Sequence, residues 1–217
     1  NCQWPDSNVL LRAYAEARLD VSGGILGGSS GQIVYYSGSE GSVAGSDLGN
    51  NILTVQSDLV AVSASSMDQF VVSSGSMPTI ESLMLTGTVP AAVHAGYLGR
   101  ALAHCTFDRS GEAQTIHIYS GTVESDVIWN LTGDVTGYQL GGDVTVAAGA
   151  TLTLAAGVEV YTSNYNYEIL VDGGLVVDGV VFSGYHSEIQ VRSGGQADLS
   201  NCQWPDSNVL LRAYAEA

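Results

Sequence analysis

The chain has 217 residues, 45% of them apolar and 13% charged, with 27 Gly and 4 Pro. That mixture is enough for a core and suits many short strands joined by tight turns rather than helices. Acidic residues number 22 against six basic ones, all Arg, for a net charge of −16. Such a surface repels nucleic acid and anionic lipid, and no run of 18 apolar residues is present to form a membrane span.

Residues 1–17, NCQWPDSNVLLRAYAEA, recur letter for letter at 201–217. An identity of this length is not chance, and its Val9, Leu10 and Leu11 are core-type residues rather than those of a tag. The reading is that residues 1–200 make one full period of a tandem repeat and 201–217 start the next. The chain is then expected to be a portion of a longer array, with no signal peptide at Asn1. A deliberate duplication is the alternative; it predicts foreign linker residues at the junction, and none are visible. Leaving Asp206, Glu216 and Arg212 out of the count takes the −16 to −15 per period.

A shorter period runs inside the long one. In chain order, QIVYYSGSEGSVAGSDL, NILTVQSDLVAVSASSM and QFVVSSGSMPTIESLML share one grammar of alternating apolar residues, a Gly/Ser turn and a second short strand. Their lead residues are read as Ile33, Ile52 and Phe70. The stretch GTVPAAVHAGYLGRALAHC at 87–105 breaks this grammar and is expected to make a short helical turn or a longer loop, a docking point for a neighbouring filament. TIHIYSGTVESDVIW restarts the series near Ile116. EILVDGGLVVDGVVFSG, EIQVRSGGQADLSNCQW and the words themselves continue it, with leads at Ile169, Ile189 and Val209.

Alternation of period two sends one face inward, so Val180 and Phe182 are expected inside, and Leu10 and Arg12 on the side opposite Leu11. A turn every few residues leaves the strands too short for a hairpin-built sandwich. A repeat of roughly 20–24 residues is one coil of a solenoid. The expected fold is all-β, a right-handed parallel β-helix of about nine coils per 200-residue period. At ~4.8 Å per coil that is an axial rise of roughly 43 Å per period. Each coil touches only its neighbours, so whole blocks can be copied end to end, and an isolated period is expected to associate end to end unless capped.

GDVTVAAGATLTLAAGVEVYTSNYNYEILVDGGLVVDG, residues 142–179, with Trp129 and Tyr138 upstream, resembles a segment common in right-handed parallel β-helix proteins of the bacterial cell surface. The sequence departs from the pattern at Ala156, where the family often has Pro. The resemblance implies the fold and a secreted or cell-surface setting. It leaves activity open, because this fold carries lyases, hydrolases, adhesins and plain stalks alike.

The candidate chemistry is sparse. Enzymes of this fold use clustered Asp with Ca²⁺ and a base, or a carboxylate pair. Here Asp172, Asp178 and Asp198 fall on neighbouring coils with Arg192 between them, but VDGG and VDGV are also ordinary Asp-Gly turns. His94, His104, His117 and His186 show no ligand spacing. TLT at 151–153 appears once, too few for a Thr ladder, and NLT at Asn130 fits a glycosylation acceptor. Cys2 and Cys202 are one site and Cys105 the other; both are read as small buried hydrophobes, with lateral cross-linking through Cys105 the lesser reading. Tyr161, Tyr165 and Tyr167, with Tyr35, Tyr36 and Tyr185 on nearby coils, are candidates for stacking on sugars or for lateral contacts. Arg100 and Arg109 flank the irregular stretch and are expected to face a neighbouring chain; Arg18 and Arg192 are expected to satisfy their own coils. The expected function is a structural or adhesive extracellular fibre without enzymatic activity or cofactor. It self-associates end to end and laterally, and binds Ca²⁺ weakly through surface carboxylates. The runner-up is a carbohydrate-binding or carbohydrate-cleaving module with a polysaccharide partner.

Overall fold

The computed structural model describes residues 3–4, 8–28, 30–73, 77–162, 167–184, 187–205 and 209–214. Strand accounts for 57% and helix for 5%, in parallel β-solenoid coils that number about nine. The coils fall into two compact units. The first is Asn1–Val93 with Arg100–Gln114, the second His94–Gly99 with Thr115–Ala217.

In the first unit one parallel ladder runs through Leu10–Ala13, Gln32–Tyr35, Ile52–Val55, Gln69–Val72 and Ala91–His94. A second runs through Arg18–Ser22, Glu40–Ala44, Val60–Met67, Thr79–Leu85 and Cys105–Phe107. Because side chains alternate and coils stack in register, inward residues form columns. Leu11, Ile33, Leu53, Phe70 and Ala91 make one column, and Ala13, Tyr35, Val55 and Val72 another. On the second ladder Val21, Val43, Val62 and Ile80 stack, as do Met67, Leu85 and Phe107. All of these except Leu11 are buried.

The ladder corrects two lead residues. Ile33 stacks on Leu53, while Ile52 lies beside Gln32 and is only half-buried. Ile189 stacks on Leu211, and Val209 lies beside Ser187. Ile52 and Leu53 offer two parities, and the partner column decides, since only one also turns Val55 inward; Val209 and Leu211 share a parity, and the offset there is one of register, two residues along the strand.

The corner after the second strand repeats a backbone device. Ser22, Ala44, Ser63 and Glu81 are register partners, and the residues after them, Gly23, Gly45, Ala64 and Ser82, have φ of 57°, 57°, 46° and 58°. The coil turns through a left-handed residue each time, and two of the four are not Gly. Between coils, buried Asn51 accepts from the Gly31 amide and donates to the Leu26 carbonyl at 3.0 Å and to the Leu48 carbonyl. One side chain thus satisfies three backbone groups where the ladder is interrupted.

In the second unit the first ladder holds Gln114–Tyr119, Val135–Leu140, Glu159–Thr162 and Val181–Gly184, with Gln203 bridged to Val181. The next holds Gly121–Val123, Val144–Val146, Tyr167–Val171, Ser187–Val191 and Val209–Ala213. The third holds Val127–Trp129, Thr151–Leu154, Gly174–Asp178 and Gln196–Ser200. Inward columns are Tyr138–Val160–Phe182, Val123–Val146–Val171–Val191 and Trp129–Leu154–Val177–Leu199. Trp129 and Tyr138 are both buried, their rings 5.2 Å apart, and the Tyr138 hydroxyl donates to the Asn130 carbonyl at 2.6 Å. Val180 and Phe182 are inside, as alternation requires.

The irregular stretch is narrower than its sequence suggests. Ala91–His94 is a strand in register with Gln69–Val72. Only the 3₁₀ turn Ala95–Tyr97 and the helix Leu98–His104 interrupt the pattern. The helix buries Leu98 and Ala101, three positions apart, and exposes Arg100 and His104.

Two substitutions test this account. Ala64→Gly relieves a left-handed alanine and is expected to raise stability by about 0.5–1 kcal/mol, whereas Ala64→Val lowers it. Asn51→Leu strands one amide and two carbonyls and is expected to cost about 2 kcal/mol or more. Denaturant unfolding monitored by far-UV circular dichroism measures both.

Candidate functional site

The carboxylates first singled out are engaged in contacts between coils. Asp172 pairs with Arg192 at 2.9 Å. Asp178 accepts from Ser200 Oγ at 2.8 Å and from Asn201 Nδ2 at 2.7 Å. Those bonds hold its carboxyl below the usual range. Asp198 stands beside Val176 rather than beside another acid. Asp172 and Asp178 are thus already bonded, while Asp198 lies on the same face as Asp178, one diagonal step away on the paired strand. Among the described residues, no group of three or more His, Cys, Asp or Glu is arranged to hold a metal ion.

The helix Leu98–His104 presents Arg100 and His104 to an open recess of about 240 Å³, completed by Met77, Pro78, Thr79 and Ile80. Arg100 is exposed and has no ion pair among the described residues. Arg109 is half-buried; it lies 4.0 Å from Glu112 and donates to the Ala113 carbonyl at 3.5 Å. Arg18 binds Asp20 on its own strand at 2.7 Å, as expected, whereas Arg192 reaches Asp172 of the preceding coil at 2.9 Å and so joins two coils rather than satisfying its own. Cys105 lies in register with Leu83, 9% exposed, and burial pushes its thiol up to about 12. This placement fits the small-hydrophobe reading and takes Cys105 away from the surface that a lateral cross-link requires.

The tyrosines divide. Tyr35 is not a surface ring: it is fully buried, and its hydroxyl donates to the carbonyls of Leu19 at 2.8 Å and Ser42 at 3.2 Å. Tyr36 stacks on Tyr14 with ring centres 4.9 Å apart. Tyr161 is 36% exposed on Glu159–Thr162, beside Gln139, and Tyr167 is half-buried on the next strand. Tyr165, Tyr185 and His186 lie outside the described residues. Sequence reasoning missed a half-buried cluster in the second unit. His94 contacts Tyr97 and Tyr119 with ring centres 6.2 and 6.0 Å away, and His117 contacts Tyr119 at 5.0 Å. Burial lowers the His117 pKa, partly offset by a hydrogen bond to Gln139.

The recurring words occupy strands in both places, with one difference. The first copy, Leu10–Ala13, pairs with the strand that follows it, Gln32–Tyr35. The second, Val209–Ala213, pairs with the strand that precedes it, Ser187–Val191. Leu210 and Leu211 are 42% and 50% exposed. Arg212 reaches Glu188 at 3.1 Å, whereas its twin Arg12 is exposed and has no ion pair among the described residues. The Glu168 carboxyl is raised by burial and by Glu188 and Asp143 nearby, so an incoming guanidinium has an acidic setting. Glu188 went unnoticed in the sequence, because only the register places it near Arg212. Compared with protein-family models, with curated proteins and with solved structures, the chain finds no match in any of the three.

At pH 8 a thiol with a pKa near 12 is about one part in ten thousand thiolate. Cys105 is therefore expected to resist iodoacetamide until the protein unfolds, with half-buried Cys202 alkylated first. Peptide mapping by mass spectrometry reads the order of labelling.

Proposed function

We propose that this chain is a non-enzymatic structural or adhesive element of an extracellular filament, built from near-identical 200-residue solenoid periods joined end to end. One observation carries the reading. The same words pair with the coil before them in one place and with the coil after them in the other. Laid over each other, the two copies give one continuous column, Ile189–Leu211/Leu11–Ile33, with Val191–Ala213/Ala13–Tyr35 beside it. Inward residues meet inward residues, which a register slip of one would forbid. The likeness of residues 142–179 to cell-surface β-helix proteins supports the setting.

Charge then governs lateral assembly. With −15 per period and a rise of roughly 43 Å, the filament carries about one net negative charge every 3 Å. Bare filaments repel once they approach within about the ~8 Å Debye length of physiological salt, so side-by-side contact needs further screening, divalent bridging or an exposed Arg meeting an acidic patch. Arg100 is the exposed candidate and Arg109 the half-buried one.

A carbohydrate-binding reading is favoured by a different observation, the half-buried His94, Tyr97, His117 and Tyr119 cluster with Tyr161 on the same ladder. Rings with one apolar face and a polar edge suit sugars. A glycan array separates the two: specific retention that falls with Tyr161→Ala supports carbohydrate binding, and none leaves the fibre.

Chains of one, two and three periods are expected to appear by electron microscopy as rods that lengthen by roughly 43 Å per period. Rods whose length does not grow with period number would end the proposal. Bundling is expected to increase with Ca²⁺ or salt and to fall in chelator at low ionic strength, read by turbidity.

A further inference from the structure

We propose that the surface formed by Val181–Phe182, Ser187–Val191 and Gln196–Ser200 is a seat for a second copy of this chain, and that Gln203, Trp204 and the strand Val209–Ala213 occupy part of it as an intramolecular cap. The inference rests on the stacking just described and names its partner surface. Three ladders define the seat, and each continues into the first coil of a second copy.

On the first, Gln203 is bridged to Val181 and Trp204 stacks on Phe182 with ring centres 5.9 Å apart. The twin residues Gln3 and Trp4 pair with Ile25 and Leu26. The column becomes Phe182, Trp4, Leu26. On the second, Leu11 and Ala13 of the incoming copy replace Leu211 and Ala213 on Ile189 and Val191, already carrying Ile33 and Tyr35 on their other edge.

The third ladder is the independent check, because no recurring residue contributes to it. Val9 precedes Arg18 by as many residues as Ser187 precedes Gln196. A copy seated by Val9 on Ser187 therefore brings Arg18–Ser22 alongside Gln196–Ser200 in register. Leu19 then stacks on Ala197 and Val21 on Leu199, beneath Gly41 and Val43. Leu175 and Val177 below Ala197 and Leu199 are buried, as is Val43 above, so the inward parity is unbroken through four coils. Large Leu19 falls between small Ala197 and Gly41, as close packing wants.

Charge acts in both senses: the same register sets Asp20 opposite Asp198, which opposes seating, while Glu188 favours it. Glu188 binds Arg212 at 3.1 Å in the capped state. In the seated state it takes Arg12 of the incoming copy, the residue that lacks an ion pair among the described residues of its own unit. Parallel pairing also supplies partners for exposed edge amides and carbonyls at both ends.

The test uses the full 217-residue chain with Cys2→Ser and Cys202→Ser, leaving buried Cys105 as the remaining thiol. Leu211→Pro with Ala213→Pro releases the cap, because proline cannot donate to the ladder. Leu211→Asp with Arg212→Glu releases it by opposing Glu188, should the proline chain lose its far-UV β-signal. Into this background Asp20→Cys is placed in one preparation and Asp198→Cys in another. Their expected Cα separation of ~4.8 Å suits a disulfide. On mixing, the 20–198 heterodimer is expected to exceed the homodimers of either preparation by roughly tenfold or more, as specific docking demands. A synthetic peptide with the sequence of residues 1–17 suppresses it. Glu188→Arg in the Asp198→Cys chain suppresses it too, and Arg12→Glu in the partner restores it.

A folded chain with released cap that forms no excess heterodimer overturns the seat. So does a heterodimer indifferent to the peptide and to the charge exchange. Rods that lengthen with period number while the cross-link fails would sink the seat alone and leave the fibre standing.

Discussion

The parallel hydrogen-bond ladder between successive coils is the interaction on which the rest of this structure depends. A strand of four or five residues makes no hairpin with its sequence neighbour here; its amides and carbonyls are satisfied by the coils before and after it. Every other feature serves that ladder. Left-handed residues at Gly23, Gly45, Ala64 and Ser82 turn each coil at the same height. Asn51 bonds the backbone where the ladder lapses. Inward columns of Ile, Val, Leu and Phe then bury what the register aligns.

A structure held this way has an unfinished ladder wherever the stacking stops. That property links the fold to the proposed function. An open edge is a hazard in a lone domain and a joint in an array, and the difference is whether the next coil has a matching register. The recurring words supply such a register, since their inward residues fit the coil on either side. In the proposed filament the acidic composition would work in the opposite sense, keeping chains apart sideways while the matched ends attract.

The side chains that first looked chemical are mostly occupied in joining coils. Asp178 is bonded to Ser200 and Asn201, Asp172 to Arg192, and Tyr35 spans two carbonyls from inside the core. Asp-Gly turns and alternating Tyr are what a stacked coil needs at its corners and faces, so residue type alone does not separate a chemical role from a structural one. The cluster around His117 and Tyr119 was missed because its members come from separate coils and share no motif.

Period-two alternation, Gly/Ser turns and a repeat near 20 residues were enough in the sequence to determine a parallel solenoid of about nine coils, because these depend on local geometry. Burial of Val180 and Phe182 followed from the same alternation. Register was beyond it. Ile52 and Leu53 are equally apolar, and only the neighbouring column decides which turns inward; Val209 and Leu211 share one parity, and only the register decides which of them meets Ile189. The packed helix Leu98–His104, the burial of Tyr35 and the pairing of Arg212 with Glu188 were likewise decided by tertiary structure. Each depends on which residues of distant sequence arrive at the same height in adjacent coils, and coil length, which varies from turn to turn, sets that height.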